Sequence, residues 1–181
     1  MGDIGKIGWL LDLEYLLEIG IIREIGLEPF RLFDQGSITH AELLEWVTPI
    51  CDGYRIKDWT LTKEGSIDVD GWVNLEDKEL TSLPLRFGRV SKNFYCFNNY
   101  LTTLDGAPKE VGGDFSCSSN RLTSLKGAPN LIGEDFLCNN NYLTTLDGGP
   151  NLIGGNFYCM GNPLTSLEGI SVVGGIVFSS L

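Results

Sequence analysis

A block of residues recurs at a fixed spacing of 21 from Leu80 onward, and that spacing limits what the chain can become. A full copy reads Leu101-Thr102-Thr103-Leu104-Asp105-Gly106-Ala107-Pro108, then Val111-Gly112-Gly113, then Phe115-Ser116-Cys117 and Asn120. The order restarts at Leu122 and Leu143, with a degraded copy from Leu80 and a truncated one from Leu164. No insertion breaks the phase. A period of this length predicts a solenoid, in which each unit buries its apolar face only against its neighbours. Function then resides in a presented surface.

The repeat positions divide by direction. Phe94, Phe115, Phe136 and Phe157 share one column, and Cys96, Cys117, Cys138 and Cys159 share another two residues on. Period-two spacing on a strand points both columns inward. Leucines at 80, 101, 122, 143 and 164, with partners three residues later, turn the chain around the core. Val90, Val111, Ile132 and Ile153 close the far side. Asn99, Asn120, Asn141 and Asn162 form a ladder whose amides can satisfy turn backbone groups, including those of the adjacent rung. Gly106-Ala107-Pro108 and its equivalents predict a tight bend without room for a helix. The paired glycines at 112/113 and 154/155 suit either positive φ or close backbone approach.

The chain ahead of the repeats has a different texture. Residues 4–19 read as a helix, with apolar residues at three- and four-residue steps. Pro29 predicts a short second helix over 30–33. Thr39-His40-Ala41-Glu42 is a capping-box pattern that predicts a third helix, stopped by Pro49. Residues 59–62 and 66–69 read as strands joined by a turn at 63–65, and 72–75 as a third short strand. Counting back 21 from Phe94 and Cys96 lands on Val73 and Leu75, which makes that segment a divergent zeroth turn. The expected division is 1–53, a helical cap; 54–79, a β-hairpin and divergent first turn; and 80–181, the solenoid. The fold class is α+β: a small helical unit capping a short β-solenoid of parallel strands, without convex helices.

These residues carry a resemblance. F-x-C-x-x-N-x-L-x-x-L resembles the leucine-rich repeat, with phenylalanine and cysteine at strand positions usually held by leucine. The 21-residue length is similar to the shortest bacterial class, whose convex side is extended. The phrasing L-T-S-L-x-G-A-P-x-x-V-G-G-x-F-x-C, preceded by G-S-I-D-V-D-G-x-V-N-L, is similar to predicted leucine-rich-repeat proteins of large tailed bacteriophages. The match covers about residues 54–181. It implies a curved protein-binding scaffold and no chemistry; bacterial relatives that are ubiquitin ligases carry a separate C-terminal catalytic domain, which is not expected here.

Charge and composition narrow the partners. Thirteen Lys plus Arg against 24 Asp plus Glu give a net charge of −11, which opposes binding to phosphate backbones. Neither a nucleic acid nor a membrane is expected as a partner. Met1 is followed by Gly2-Asp3 rather than a basic segment, and acids at 12, 14 and 18 interrupt the apolar run, so no secretory signal is read. A cytoplasmic location, the host cytoplasm for a phage protein, and reduced thiols are expected.

Motifs that invite chemistry point elsewhere. Cysteines 21 residues apart in a flat column give no tetrahedron for zinc. His40 and Cys51, if one helix ran through both, would stand ~16 Å apart, beyond proton transfer; a break at Pro49 leaves their separation open. Ser66, Asp68, Asp70 and Asn74 partly follow the order of a calcium loop, but the first ligand is not Asp and the twelfth place holds Asp77 instead of Glu. Residues 30–43 echo a helix-loop-helix calcium hand whose loop is three residues too short. No catalytic residue, metal or cofactor is expected.

The outward strand positions are the candidate binding face: Tyr95, Ser116, Leu137 and Tyr158 in one column, Phe97, Ser118, Asn139 and Met160 in the other. Of these Tyr95, Phe97, Leu137, Tyr158 and Met160 are the partner-binding candidates, because apolar and aromatic side chains facing solvent on one sheet are costly unless they meet something. A second candidate is the last repeat, which drops one residue and replaces cysteine with Ser179. With no polar cap expected beyond it, Ile176, Val177, Phe178 and Leu181 form a possible edge for a homodimer. The leading expectation is a non-enzymatic protein–protein interaction module, for a phage one that binds and modulates a host defence protein. The alternatives are an assembly component of a phage particle and an acidic decoy of nucleic acid. The acids are spread, 11 up to Asp58 and 13 beyond it, which disfavours the decoy.

Overall fold

The computed structural model describes residues 26–170 and 172–181; the predicted helix over 4–19 lies outside them. Among the described residues two helices come first. Helix α1 (Glu28–Asp34) carries Pro29 in its first turn, where a missing N–H costs nothing. Helix α2 (His40–Gly53) starts with the predicted capping box: the Thr39 side chain accepts from the Glu42 N–H, and the Glu42 carboxylate accepts from the Thr39 N–H.

The expectation that Pro49 stops this helix is corrected. The helix continues through Pro49 to Gly53. Proline here removes one intrahelical bond near the C-terminus, and the following turn buries Ile50 and Cys51 against the core. That burial outweighs the single lost bond. The Thr48 hydroxyl also donates to the Leu44 carbonyl in the same turn.

The strands then form two sheets. One has seven strands in the order β1-β2-β4-β6-β8-β10-β12: Trp59–Leu61, Ile67–Val69, Phe87–Val90, Glu110–Val111, Leu131–Ile132, Leu152–Ile153 and Val172–Val173. The other has six, β3-β5-β7-β9-β11-β13: Val73–Asn74, Phe94–Tyr95, Phe115–Ser116, Phe136–Leu137, Phe157–Tyr158 and Val177–Phe178. Among the described residues only the β1–β2 hairpin is antiparallel, with Trp59 opposite Val69. Every other pair is parallel and joins residues one repeat apart. Val73 faces Phe94, as counting back 21 requires, and Phe94 faces Phe115. This is a short parallel β-solenoid preceded by helices.

The core is the predicted one. Phe94, Phe115, Phe136 and Phe157 stand in one interior file, with neighbouring ring centroids 5.6, 5.7 and 5.2 Å apart. The four column cysteines, the turn leucines other than the half-buried Leu167, and Val90, Val111, Ile132 and Ile153 are buried around it. Of the two explanations for the paired glycines, close approach holds. A Cβ on Gly112, Gly133 or Gly154 would sit 2.1 Å from the carbonyl oxygen of Ser91, Gly112 or Gly133, one rung back. The bend glycines are the ones with positive φ, +90° at both Gly106 and Gly127.

The helical unit meets the first rungs. Arg86 pairs with Asp34 at 2.7 Å, lies over the Phe30 ring and holds the Asp34 carboxyl below its ordinary range. Leu43, Val47 and Ile50 of α2 join the same core cluster as Val73 and Leu75.

Candidate functional site

The outward face of the six-stranded sheet is built by strand register. Asn74, Tyr95, Ser116, Leu137, Tyr158 and Phe178 pair in sequence across β3, β5, β7, β9, β11 and β13. Phe178 is therefore a member of this column. It stacks on Tyr158 with centroids 4.6 Å apart and rings nearly parallel. At the other end Tyr95 meets Phe97 edge-on at 6.0 Å. Between these aromatic groups lies a low saddle: Ser116 is only 5% exposed, and the Ser118 hydroxyl is buried without a hydrogen-bond partner. Tyr95, Phe97, Leu137 and Tyr158 are half-buried, while Met160 is 41% exposed. The Tyr95 hydroxyl is held by the Asn93 amide and donates to the Asp114 carboxylate at 3.4 Å. Its ring face, rather than its hydroxyl, is left to be offered.

Two ladders frame this face. The predicted asparagine ladder satisfies the turn backbone as expected. The Asn120 amide donates to the Cys96 and Cys117 carbonyls at 2.9 and 3.1 Å, and its oxygen accepts from the Leu101 N–H at 2.9 Å. Asn99 and Asn141 repeat the pattern. A second ladder escaped sequence reasoning. Asn93, Asp114, Asp135 and Asn156, each just before a core phenylalanine, accept from the backbone N–H one rung on: Asp114 at 3.1 Å, Asp135 at 3.0 Å, Asn156 at 2.7 Å and Ile176 at 2.9 Å. The signal was present as Asn-Phe or Asp-Phe every 21 residues.

The residue before each ladder asparagine adopts the left-handed conformation, with φ near +54° at Asn98, Ser119 and Asn140. Beyond them a further column is exposed: Tyr100 and Tyr142, with Arg121 over the Tyr100 ring at 4.4 Å. On the opposite, seven-stranded sheet the outward column runs Arg89, Glu110, Leu131, Leu152, Val172. Its first two members form an exposed ion pair, and the last three are exposed apolar residues. Neither column was identified from the sequence.

The chemistry-bearing residues go elsewhere. His40 and Cys51 lie on one continuous helix 11 residues apart, about 16 Å along its axis. A ring nitrogen of His40 lies 3.1 Å from the Thr62 carbonyl. Asp68 accepts from the Arg89 N–H and Asp70 from the Ser91 hydroxyl, so both brace the next rung. Among the described residues no group of three or more His, Cys, Asp or Glu side chains is placed to hold a metal ion, and no helix is long and apolar enough to cross a membrane.

All five cysteines are free and buried. Burial pushes every thiol up, Cys51 to about 12 and Cys96, Cys117 and Cys138 well above the ordinary range. The thiolate is the nucleophile, so the folded chain is expected to react with less than one equivalent of a thiol reagent within minutes at pH 8, and with all five after denaturation. Fast labelling of the native chain would contradict the burial. Raised thiol pKa values also fix a sign. The stability they confer is complete below the unfolded thiol pKa of ~8.5 and is lost as pH rises toward the folded values. Melting temperature is therefore expected to fall between about pH 9 and pH 11.

No protein-family model matches the chain, and neither a curated protein nor a solved structure matches it significantly.

Proposed function

We propose that this chain is a non-enzymatic protein-interaction module that binds its partner on the outward face of the six-stranded sheet. The observation that carries the reading is the aromatic and apolar column Tyr95–Leu137–Tyr158–Phe178 with Phe97 and Met160 beside it, set on a rigid hydrogen-bonded scaffold. Aromatic and methionine side chains are enriched in protein interfaces. Strand residues locked in register need little ordering on association, which removes part of the cost of binding. The half-buried polar ladder Asn93–Asp114–Asp135–Asn156 on one side suits a rim. The motif resemblance to phage leucine-rich-repeat proteins directs the search for the partner to bacterial host proteins.

The test is affinity purification of the chain beside Tyr95→Ser/Tyr158→Ser. The unmodified chain is expected to retain a stoichiometric protein partner. The double variant, with a melting temperature within a few degrees, is expected to bind at least ~10-fold more weakly, since truncating an aromatic anchor costs ~2 kcal/mol or more. Retained binding by the double variant would move the site off this face.

A further inference from the structure

We propose that the partner protein presents an arginine to the saddle over β7, its guanidinium lying on the Tyr95 ring and paired with the carboxylates of Asp114 and Asp135. This rests on the binding face argued above and names the chemistry that the face takes. The outward positions of the face are every second residue from Trp72 to Glu76 and their equivalents in the later rungs. They include the acids Asp114, Asp135 and Glu76 and no lysine or arginine. In a chain of net charge −11 a cationic partner is also drawn in from a distance.

The fold does not require the two aspartates to be charged. The ladder bond needs only a side-chain oxygen, and Asn93 and Asn156 supply one as well as Asp114 and Asp135 do. Yet the aspartates hold adjacent rungs, on strands about 4.8 Å apart, where like charges side by side are destabilising. Neither has an ion pair among the described residues. Each commits Oδ1 to the ladder. Asp135 Oδ2 has no hydrogen-bond partner among the described residues, and Asp114 Oδ2 has only contacts of 3.4 Å to the Tyr95 hydroxyl and the Asn93 amide. A cation set between them removes the repulsion.

Shape selects arginine among cations. Ser116 leaves a gap between Tyr95 on β5 and Leu137 on β9, two strand spacings or about 9.6 Å between backbones. The Tyr95 hydroxyl reaches Asp114, so the ring stands beside the carboxylate. A planar guanidinium can stack on that ring while its fork meets the carboxylate; an ammonium cannot make the two parallel bonds. The chain builds the same arrangement internally. Arg86 lies 5.2 Å from the Phe30 ring centroid and bonds both Asp34 oxygens, at 2.7 and 3.0 Å. Farther along the saddle the Ser118 hydroxyl is buried without a hydrogen-bond partner. That costs free energy until a peptide group of the arginine-bearing segment supplies the bond.

The test is a ¹H–¹⁵N NMR titration of the 181-residue chain with N-acetylarginine amide, with the lysine and citrulline amides as controls. Citrulline keeps the shape of arginine and lacks its charge. Arginine amide is expected to shift residues 95, 114, 116 and 135 with a dissociation constant of order 1 mM, as ligand efficiency allows for so small a molecule. Binding should weaken about threefold between about 20 and 200 mM salt. Lysine amide is expected to bind about 10-fold more weakly, and citrulline amide to leave these residues unmoved. Asp114→Asn, a residue the ladder already accepts at 93 and 156, should weaken arginine binding about 10-fold with a melting temperature no lower than the parent's. Shifts spread evenly over the acidic surface, equal binding of lysine amide, or full binding by Asp114→Asn would each overturn the arginine assignment. If the unmodified chain then still captures a partner that Tyr95→Ser/Tyr158→Ser loses, the protein-binding face stands without it. Capture by that double variant would overturn both.

Discussion

Replacing Asn120 by alanine is expected to destabilise the chain by about 3–4 kcal/mol. The hydrogen bonds of the ladder determine that figure. The Leu101 N–H has Asn120 Oδ1 as its acceptor, at 2.9 Å in a buried site. Leaving such a donor unpaired costs ~1–3 kcal/mol. The Cys96 and Cys117 carbonyls lose one donor each but keep another, from Asn99 and Asn141 respectively, so their loss is smaller. At ~2–4 °C per kcal/mol for a chain of this size, the melting temperature should drop by about 10 °C. Asn162→Ala is the internal comparison. Its bond to the Leu143 N–H is longer, 3.2 Å, and only partly buried, so about half the loss is expected. Asn120→Asp keeps the acceptor but removes both donors and places a carboxylate against two carbonyls. Its folded pKa must then be raised. The deficit relative to the parent should therefore shrink as pH falls toward ~4 and the carboxyl regains a proton to donate. Equal losses for Asn120→Ala and Asn162→Ala would mean that the ladder does not hold the turns as the hydrogen bonds indicate.

What the sequence disclosed and what it concealed have one physical origin. Parallel in-register stacking places residue i beside residue i+21, so any position filled alike in successive repeats is visible in the chain. The phenylalanine, cysteine and asparagine columns and the zeroth turn at Val73 were legible for that reason. The second ladder was harder to see because Asn93, Asp114, Asp135 and Asn156 alternate between two residue types that accept the same bond. The exposed column Arg89, Glu110, Leu131, Leu152, Val172 has no common chemistry at all, since solvent imposes none. Pro49 misled because a local rule, that proline ends a helix, was outweighed by burial of Ile50 and Cys51. Burial is a tertiary fact.

Gly133→Ala is expected to have a still larger effect, above ~4 kcal/mol, and to deny the chain a uniformly stacked fold. The new Cβ would sit 2.1 Å from the Gly112 carbonyl oxygen and 2.9 Å from its carbon. Both are backbone atoms of the adjacent rung, so no side chain can swing aside. The φ of Gly133 is not in the left-handed region, which makes the cost one of space rather than conformation. To gain the missing ångström the rungs must part, and parting them weakens the neighbouring bonds across the same interface, Gly133 N–H to the Val111 carbonyl at 2.9 Å and Glu134 N–H to the Gly113 carbonyl at 3.2 Å. In a stack where each rung touches only its neighbours, that damage falls on one interface and uncovers the phenylalanine file on both sides of it. Hydrogen exchange should accordingly quicken first at residues 110–117 and 130–137. Gly71→Ala is the matched control: nothing lies within 4 Å of its Cβ position, and its effect should stay within about 0.5 kcal/mol. A Gly133→Ala variant as stable as Gly71→Ala would show that successive turns do not approach this closely, and the tightly wound core built on that approach would have to be abandoned.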